Sequence, residues 1–388
     1  MRVMRGLTMT KILMLTGNSS LQDGINRQIL AIAPALNRLQ GFKIAVCTIF
    51  PAGELNVELE KCGVTSYALG LPHGHSWKTW LRFHQVMKEF QPDVIHGHVI
   101  GLLQRFYLQM LARRIPLVMT CHGITDVESG VRHRNWRDSL EGFIGKLIKL
   151  NIVRTIYISH GVRDLKGVKG GEVVYNPIKF ECALKETHFP GRLRELLGVS
   201  RDVQVIGTAC RIAPPKKPII FVSVMCSVLK TLSGVHAIVC GSSNDNRLMT
   251  QLKEIVVQAG VEDRFHWLGY RPDAPALTRE LDCFVMTSQT EGLPTALLEA
   301  ISVLTPIAFM RGLGGLIDLD EFNTHEGPIA AVADMDDTEG LSRQIVCLLR
   351  NKALAQANAR RALEVGRRHF DVNRIVLKLA EIYRDIAR

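Results

Sequence analysis

Two glutamates, Glu291 and Glu299, are separated by seven residues in the segment EGLPTALLEA. The apolar run LDCFVMTS before them predicts a strand, and Pro294 stands where a helix is expected to begin. A helix that begins directly after a strand presents free backbone N–H groups and a positive dipole end, which suits a phosphate. At the rise of a helix the two carboxylates would lie roughly 8–12 Å apart, and carboxylates accept hydrogen bonds from paired hydroxyl groups. The alternative is that Glu291 caps the helix and Glu299 faces solvent.

A basic loop follows an earlier predicted strand in the segment GTACRIAPPKK. Arg211 offers a planar fork of donors, and Lys216 and Lys217 offer point charges, so the loop could clamp a diphosphate leaving group. A basic loop alone is usually a solvated surface. Beside two glutamates in the same half of the chain, the clamp is the better interpretation.

Short apolar runs alternate with amphipathic stretches along the chain, which is the pattern of βα units on a parallel sheet. Strands are predicted within KILMLTG, FKIAVCTIF, PDVIHGH, IPLVMTCHG, RTIYISHG, VQVIGTACR, VHAIVCG, RFHWLG, LDCFVMTS and TPIAFMRG. Ligands of open α/β sheets bind at the carboxyl ends of strands. The sequence therefore predicts an α/β fold of two Rossmann-like, doubly wound domains that face each other across a cleft. Residues 1–180, joined by a C-terminal helix at 370–388, form the first domain, and residues 200–369 form the second.

Together these segments resemble the GT4 family of retaining glycosyltransferases, which have the GT-B fold. EGLPTALLEA resembles the E-x7-E signature of that family, ACRIAPPK its R-x4-K phosphate clamp, and TCHG the segment that carries its active-site histidine. KILMLTG followed by DGINRQ resembles the opening strand and glycine loop. The sequence departs from the family where it has a single glycine, Gly24, in the first loop. It departs again where Lys217 replaces a common glycine, so that Lys216 and Lys217 compete for the clamp role.

The resemblance implies a role for each matching residue. His122 would lie beside the reacting sugar and Glu291 would bind its hydroxyls, as the catalytic residues, while Glu299 would accept hydrogen bonds from the ribose. The other donor-binding residues would be Gly24, Arg211, Lys216 or Lys217, Gly292, Leu293 and Thr295. Tyr270, which follows the segment WLG, is a further candidate for contact with the base.

The resemblance also implies an activity. The enzyme would transfer a sugar from a nucleotide diphosphate sugar, with UDP or GDP expected, to a glycan or lipid-linked acceptor that the first domain binds. By analogy, the acceptor belongs to bacterial envelope polysaccharide or lipopolysaccharide. The charges of Arg211 and Lys216 can take the place of a metal ion at the leaving diphosphate, so we expect a metal-independent reaction without a cofactor. Retention could use a carboxylate nucleophile or attack on the face that the phosphate leaves.

Composition limits the alternatives. The 388 residues carry 48 Lys and Arg against 37 Asp and Glu, a net charge of +11, so anionic partners are expected. A nucleic-acid-binding protein is a remote alternative, since aromatic residues make up only 6% and no recognition motif is present. A nucleotide-sugar epimerase of the same fold is the nearer rival. A dinucleotide-dependent dehydrogenase is disfavoured, because no G-x-G-x-x-G follows a predicted strand.

Targeting signals are weak. No apolar run approaches the length of a membrane span. The apolar stretch Ile12 to Leu15 is too short for the core of a signal peptide. Nine unpatterned cysteines favour a reducing, cytoplasmic compartment. The basic stretch 131–154 is interpreted as a crossover helix, or as a surface attracted to the anionic inner membrane.

The histidines outside TCHG are not interpreted as catalytic residues. His96 and His98 form an H-x-H pair that could bind a metal, but without a third ligand the pair is expected to line the cleft. His73 and His75 are expected to be solvated or to contact the acceptor. The role of His160 is left open.

Overall fold

The computed structural model describes residues 9–70, 77–98, 108, 114–123, 152–168, 170–180 and 191–387. Nearly all of the basic stretch 131–154, as well as His73 and His75, lies outside the described residues.

The first half of the chain forms a seven-stranded parallel sheet in the order β3-β2-β1-β4-β5-β6-β7. Its strands are β1 Thr10–Thr16, β2 Phe42–Thr48, β3 Thr65–Ala68, β4 Val94–Gly97, β5 Leu117–Cys121, β6 Ile152–Tyr157 and β7 Glu172–Val173. The described helices of this half are α1 Gly24–Asn37, α2 Glu54–Lys61, α3 Trp77–Phe90 and α4 His160–Leu165. β4 and most of β1 are buried on both faces, as in a parallel sheet that helices cover on both sides.

The second half forms a six-stranded parallel sheet in the order β10-β9-β8-β11-β13-β15, and a short pair, β12 with β14. The strands are β8 Gln204–Ala209, β9 Val235–Cys240, β10 Phe265–Gly269, β11 Cys283–Met286, β12 Thr290–Glu291, β13 Ile307–Met310, β14 Leu313–Gly314 and β15 Ala331–Ala333. Each sheet reverses its order beside its first strand, so each has the doubly wound topology predicted from the sequence.

The helices of the second half follow its strands. They are α5 Arg192–Leu197, α6 Pro218–Thr231, α7 Asn246–Ala259, α8 Ala274–Thr278, α9 Thr295–Ser302, α10 Gly315–His325, α11 Thr338–Arg350, α12 Lys352–Phe370 and α13 Val372–Ile386. The basic residues 360–368 lie inside α12. None of the helices in the described ranges is long and apolar enough to cross a membrane.

The last helix returns to the first sheet. Ile178 exchanges backbone hydrogen bonds with the junction of α12 and α13, from Ile178 N to Phe370 O (2.7 Å) and from Val372 N to Ile178 O (3.1 Å). Beyond this crossing, α13 packs on α1, and its Tyr383 is fully buried in the same apolar cluster as β1 and β2. We call the seven-stranded sheet with α1–α4 and α13 the first lobe, and the six-stranded sheet with α5–α12 the second lobe.

Candidate active site

Glu291 meets a lysine at the carboxyl ends of the second-lobe strands. Its Oε1 lies 2.5 Å from Nζ of Lys216, and the Glu291 side chain is only 11% exposed. Glu291 belongs to β12, and the N-cap of α9 is Pro294, which has no side-chain acceptor. The carboxylate therefore does not cap the helix. It forms an ion pair with Lys216, and the first-turn amides of α9 are left without a side-chain cap.

The two adjacent lysines point to different partners. Lys216 reaches Glu291, whereas Nζ of Lys217 lies 2.8 Å and 3.0 Å from the two carboxylate oxygens of Asp336. Lys217 has a φ of 48°, a left-handed conformation that favours glycine, which fits the glycine common there in the resembled family. The lysine loop is fixed to the loop after β11, because Thr287 Oγ1 donates to the carbonyl oxygen of Lys216 (3.1 Å).

Arg211 lies at the start of the same loop, directly after β8 and Cys210. Its side chain is exposed and makes no ion pair or hydrogen bond with a residue that the structure describes. The guanidinium is therefore available for an anion.

The starts of α1 and α9 face each other across the lobes. A Cβ built on Gly24 would lie 3.6 Å from Oγ1 of Thr295, so the two helix starts are within contact distance. Asp23 caps α1 through a hydrogen bond from Ile25 N to its Oδ1 (2.9 Å). The cleft predicted from the strand ends therefore has a helix start from each lobe on its two sides.

Glu299 is also paired across the lobes. Its Oε1 lies 2.9 Å from Nη1 of Arg27, which is on α1. Burial raises the pKa of the Glu299 carboxyl, and the Arg27 guanidinium opposes that rise. The alternative of a solvated Glu299 does not hold, since the side chain is only 26% exposed.

His122 and Gly292 are in close contact. A Cβ on Gly292 would lie 2.0 Å from the carbonyl oxygen of His122, so no larger residue fits there without movement of the backbone. The carbonyl oxygen of Gly292 accepts a hydrogen bond from Ser159 Oγ (2.9 Å), and buried Leu293 follows it. The segments TCHG and EGLP, predicted to share a site, are thus adjacent.

Two buried histidines, His96 and His98, and the half-buried His122 form a chain behind this contact. His122 Nε2 lies 2.9 Å from His98 Nδ1, and the ring of His98 packs on that of His96 at a centroid distance of 4.3 Å. Burial lowers the pKa of His122 to about 4, although Asp23 opposes the shift, so the ring is neutral near pH 7. Within the described part of the chain, His122 Nδ1 and His98 Nε2 are buried without a hydrogen-bond partner. These two nitrogens therefore have a hydrogen-bonding capacity that none of the described residues uses.

His96 has no ring nitrogen left for a metal. Its Nε2 lies 2.7 Å from Thr120 Oγ1 and its Nδ1 lies 2.5 Å from the hydroxyl of Tyr383 on α13. The metal interpretation of the H-x-H pair is therefore not supported by the geometry. In the parts of the chain that the structure describes, no group of three or more His, Cys, Asp or Glu residues could hold a metal ion.

Asp318, on α10, is a buried carboxylate that the sequence did not single out. It accepts hydrogen bonds from the backbone N–H groups of His160 and Gly161 at the start of α4, and from the hydroxyl of Tyr175, all at 2.8 Å. Burial and the neighbouring carboxylate raise the pKa of Tyr175. Asp318 therefore binds the second lobe to the helix that follows β6. In the sequence, the pair Asn176-Pro177 directly after Tyr175 is the signal that could have indicated a structured contact here.

Tyr270 is 55% exposed and makes no hydrogen bond or ring contact with a described residue. Trp267, three residues earlier, lines a small cavity at the carboxyl ends of β8, β9 and β11, together with Lys216 and Ser288. The aromatic residue of this segment that lies beside the lysine loop is therefore Trp267.

These features define a GT-B glycosyltransferase: two doubly wound lobes, an E-x7-E loop, and a lysine beside its first glutamate. Two family models match the chain, the Glycosyltransferase Family 4 model over residues 22–181 and the Glycosyl transferases group 1 model over residues 203–351. The chain belongs to the GT4 glycosyltransferases. The family, the fold class and the transferase activity predicted from the sequence are thereby confirmed.

Individual relatives are distant. The chain is 27% identical to the lipopolysaccharide core biosynthesis mannosyltransferase LpcC of Rhizobium leguminosarum bv. viciae, over 61% of each chain. It is 27% identical to the UDP-Gal:alpha-D-GlcNAc-diphosphoundecaprenol alpha-1,3-galactosyltransferase of Escherichia coli, over 80% of this chain and 79% of that one. The crystal structure of Anabaena Alr3699/HepE with UDP and glucose superposes with a TM-score of 0.78 at 20% identity, over 97% of this chain and all of that one.

Proposed function

We propose that this enzyme transfers a sugar from a nucleotide diphosphate sugar to a glycan or lipid-linked acceptor of the bacterial envelope, keeping the anomeric configuration and using no metal ion. The observation that carries the proposal is the Lys216–Glu291 pair beside the uncapped start of α9. A cation and free helix amides suit a diphosphate, and the carboxylate suits the hydroxyls of the attached sugar.

The step itself requires charge stabilisation. The bond from the anomeric carbon to the phosphate oxygen breaks, and its electron pair leaves with the diphosphate. The acceptor hydroxyl oxygen bonds to the same face of that carbon, and its proton passes to the departing phosphate oxygen. Lys216 and Arg211 stabilise the developing negative charge, which is the main catalytic requirement. Their positive charge supplies what a divalent cation supplies in other transferases.

His122 has a binding role in this scheme. It is neutral at pH 7 because burial lowers its pKa to about 4, so its free Nδ1 binds a hydroxyl of the sugar rather than pairing with the phosphate. Gly292 and Leu293 place the loop against His122, and Thr295 with Gly24 brings the two helix starts to the diphosphate.

The names of the relatives support the acceptor and donor classes. LpcC is a lipopolysaccharide core mannosyltransferase, and the Escherichia coli relative uses UDP-galactose and a diphosphoundecaprenol-linked acceptor. HepE has been crystallised with UDP-glucose. A lipid-linked or lipopolysaccharide acceptor and a UDP- or GDP-sugar donor are therefore the first substrates to test.

The first experiment is a thermal-shift panel of UDP-, GDP-, ADP- and CMP-sugars, because a ligand of the folded state raises the melting temperature. We expect one nucleotide class to stabilise the wild-type enzyme, and the Lys216→Ala variant to lose most of that shift. If none of the four classes shifts the wild-type protein, the proposed donor site is wrong.

A second experiment tests the reaction with the donor found in this way. Transfer to a lipid-linked acceptor should survive excess EDTA, and NMR of the product should show the anomeric configuration of the donor. Abolition by EDTA would overturn metal independence. Rapid isomerisation of the donor without acceptor would indicate an epimerase.

A further inference from the structure

A second cavity, outside the candidate donor site, lies where the two lobes join. It is formed by α4, the segment from β7 to Tyr175, the end of α12 and the first turns of α13. Its volume is about 330 Å³, which is within the size range of small-molecule sites and exceeds what a bare phosphate ion fills.

The wall of this junction cavity is strongly basic. Four permanently charged side chains line it, Arg163, Arg368, Arg374 and Lys378, and two histidines add to them, His160 and His369. No described residue that lines the cavity carries a carboxylate. Such a surface attracts an anion.

Nearby carboxylates neutralise only part of this charge. Glu326 binds both Arg368 and His369, and Asp164 lies 2.8 Å from Nε of Arg163. Arg374 and Lys378 make no ion pair with a carboxylate in the described ranges. Two of the four permanent cations therefore face the cavity without a counter-charge.

These two cations are held in position by the backbone. Nζ of Lys378 donates to the carbonyl oxygen of Val173 (2.7 Å), which leaves two of its three donors free. Arg374, one turn earlier on α13, uses one donor in a long bond to the carbonyl oxygen of Arg368 (3.4 Å). Both heads are thus fixed on one wall of the cavity.

The floor of the junction cavity is apolar, in contrast to its basic wall. Val173, Val174 and Ile375 line the cavity with apolar surface beside the ring of Tyr175. A ligand that fits has an anionic group for Arg374 and Lys378 and a compact body for the floor. A phosphate ester has this form, and phosphate accepts several charge-assisted hydrogen bonds at once.

We propose that the junction cavity binds the phosphate group of a phosphate ester, either a soluble phosphorylated metabolite or the headgroup of a phospholipid. The site is separate from the Lys216–Glu291 pair and does not depend on the proposed transfer reaction. A ligand here would contact Arg163 on α4 of the first lobe and Arg368 on α12 of the second, and so would bind both lobes.

The test measures binding directly, without turnover. Isothermal titration of the whole protein with glycerol 3-phosphate is compared for wild type, the double variant Arg374→Gln/Lys378→Gln, and the matched double variant Arg360→Gln/Arg367→Gln. The control pair removes the same charge from exposed positions of α12 that do not line the cavity. Loss of two charge-assisted contacts should weaken binding about tenfold or more in the cavity variant only. Arg211→Gln, in the donor site, should bind like wild type.

A second arm distinguishes the source of the phosphate. Sedimentation with vesicles of phosphatidylglycerol in phosphatidylcholine should fall in the cavity variant, but not in the control, if the ligand is a lipid headgroup. Soluble binding without vesicle binding assigns a free phosphate ester. The proposal is overturned if neither probe binds, if the control variant loses as much affinity as the cavity variant, or if Arg211→Gln abolishes binding.

Discussion

Arg27 on α1 and Glu299 on α9 are joined by an ion pair of 2.9 Å that crosses from one lobe to the other. The carboxylate that the family resemblance assigns to the ribose of the donor is therefore already held by a first-lobe guanidinium. A donor that uses Glu299 has to share or replace this contact. Donor binding and the relative position of the lobes are coupled through it.

This pair should contribute a modest, pH-dependent coupling energy. Side chains that are 39% and 26% exposed form a pair worth about 0.5–1 kcal/mol. Because burial raises the pKa of Glu299, its ionisation costs stability as the pH rises through that pKa, and Arg27 reduces the cost. A double-mutant cycle of Arg27→Gln and Glu299→Gln, measured by urea unfolding, should show the coupling above that pKa and lose it below. An equal coupling at all pH values would contradict this account.

The two lysines should differ in their importance. Lys216→Ala should lower kcat by about 10²–10³, since removal of one preorganised donor to a developing anion has that effect. Lys217→Ala, which only removes the contact with Asp336, should lower kcat by less than tenfold. Steady-state kinetics of both variants, with melting temperatures as a folding control, give the comparison. Equal losses would mean that Lys217 shares the clamp.

Gly292 should not tolerate a side chain. A Cβ there would lie 2.0 Å from the carbonyl oxygen of His122, so Gly292→Ala must separate the two segments, and a displacement of about 1 Å at an active site can cost about a hundredfold in rate. Gly234→Ala is the matched control, because a Cβ at Gly234 meets nothing within 4 Å. The prediction fails if Gly292→Ala keeps wild-type kcat/KM.

The histidine chain should make the fold sensitive to acid. Burial lowers the pKa of His96 to about 3 and that of His122 to about 4, and it lowers that of His98 well below its ordinary value. Between these values and the unfolded pKa of about 6.5, the unfolded state binds more protons, so stability falls as the pH falls through this window.

His98→Gln removes one of these three contributions. The dependence of the unfolding free energy on pH between 6.5 and 5 should decrease by up to about 1.4 kcal/mol per pH unit. Urea unfolding across this range measures it, and His325→Gln, at an exposed position on α10, is the control. An unchanged slope in His98→Gln would show that His98 is not held neutral by the fold.

The sequence predicted the strands and their polar ends well, because buried parallel strands are continuous apolar runs that end in Gly, His, Ser or Thr. The resemblance to the GT4 family implied that TCHG and EGLP belong to one site, and the structure places the two segments in contact. The polar strand ends also predicted that Lys216 and Glu291 lie close together. The lysine loop follows β8 and the glutamate follows β11, and these two strands are neighbours in the sheet.

Contacts between the lobes could not be predicted from the pattern of apolar runs and polar strand ends. Arg27 and Glu299 are 272 residues apart, and Asp318 lies more than 140 residues from Tyr175. Nothing in the local pattern of an amphipathic helix says which of its polar residues will meet another lobe. Strands β3, β7, β12, β14 and β15, which have two to four residues each, were also missed, because such short segments have no periodicity to detect.

Helix α13 makes the first lobe dependent on a segment that is synthesised after the second lobe. Ribosomal synthesis releases the residues of that lobe first, yet the apolar surface of α1 and the ring of His96 are covered only when Tyr383 and its neighbours emerge. The second lobe, whose sheet and helices α5–α12 are contiguous in sequence, can complete its core earlier. A nascent chain of this enzyme would therefore carry an unfinished amino-terminal half until α13 has emerged, and that half is where chaperones would be expected to bind.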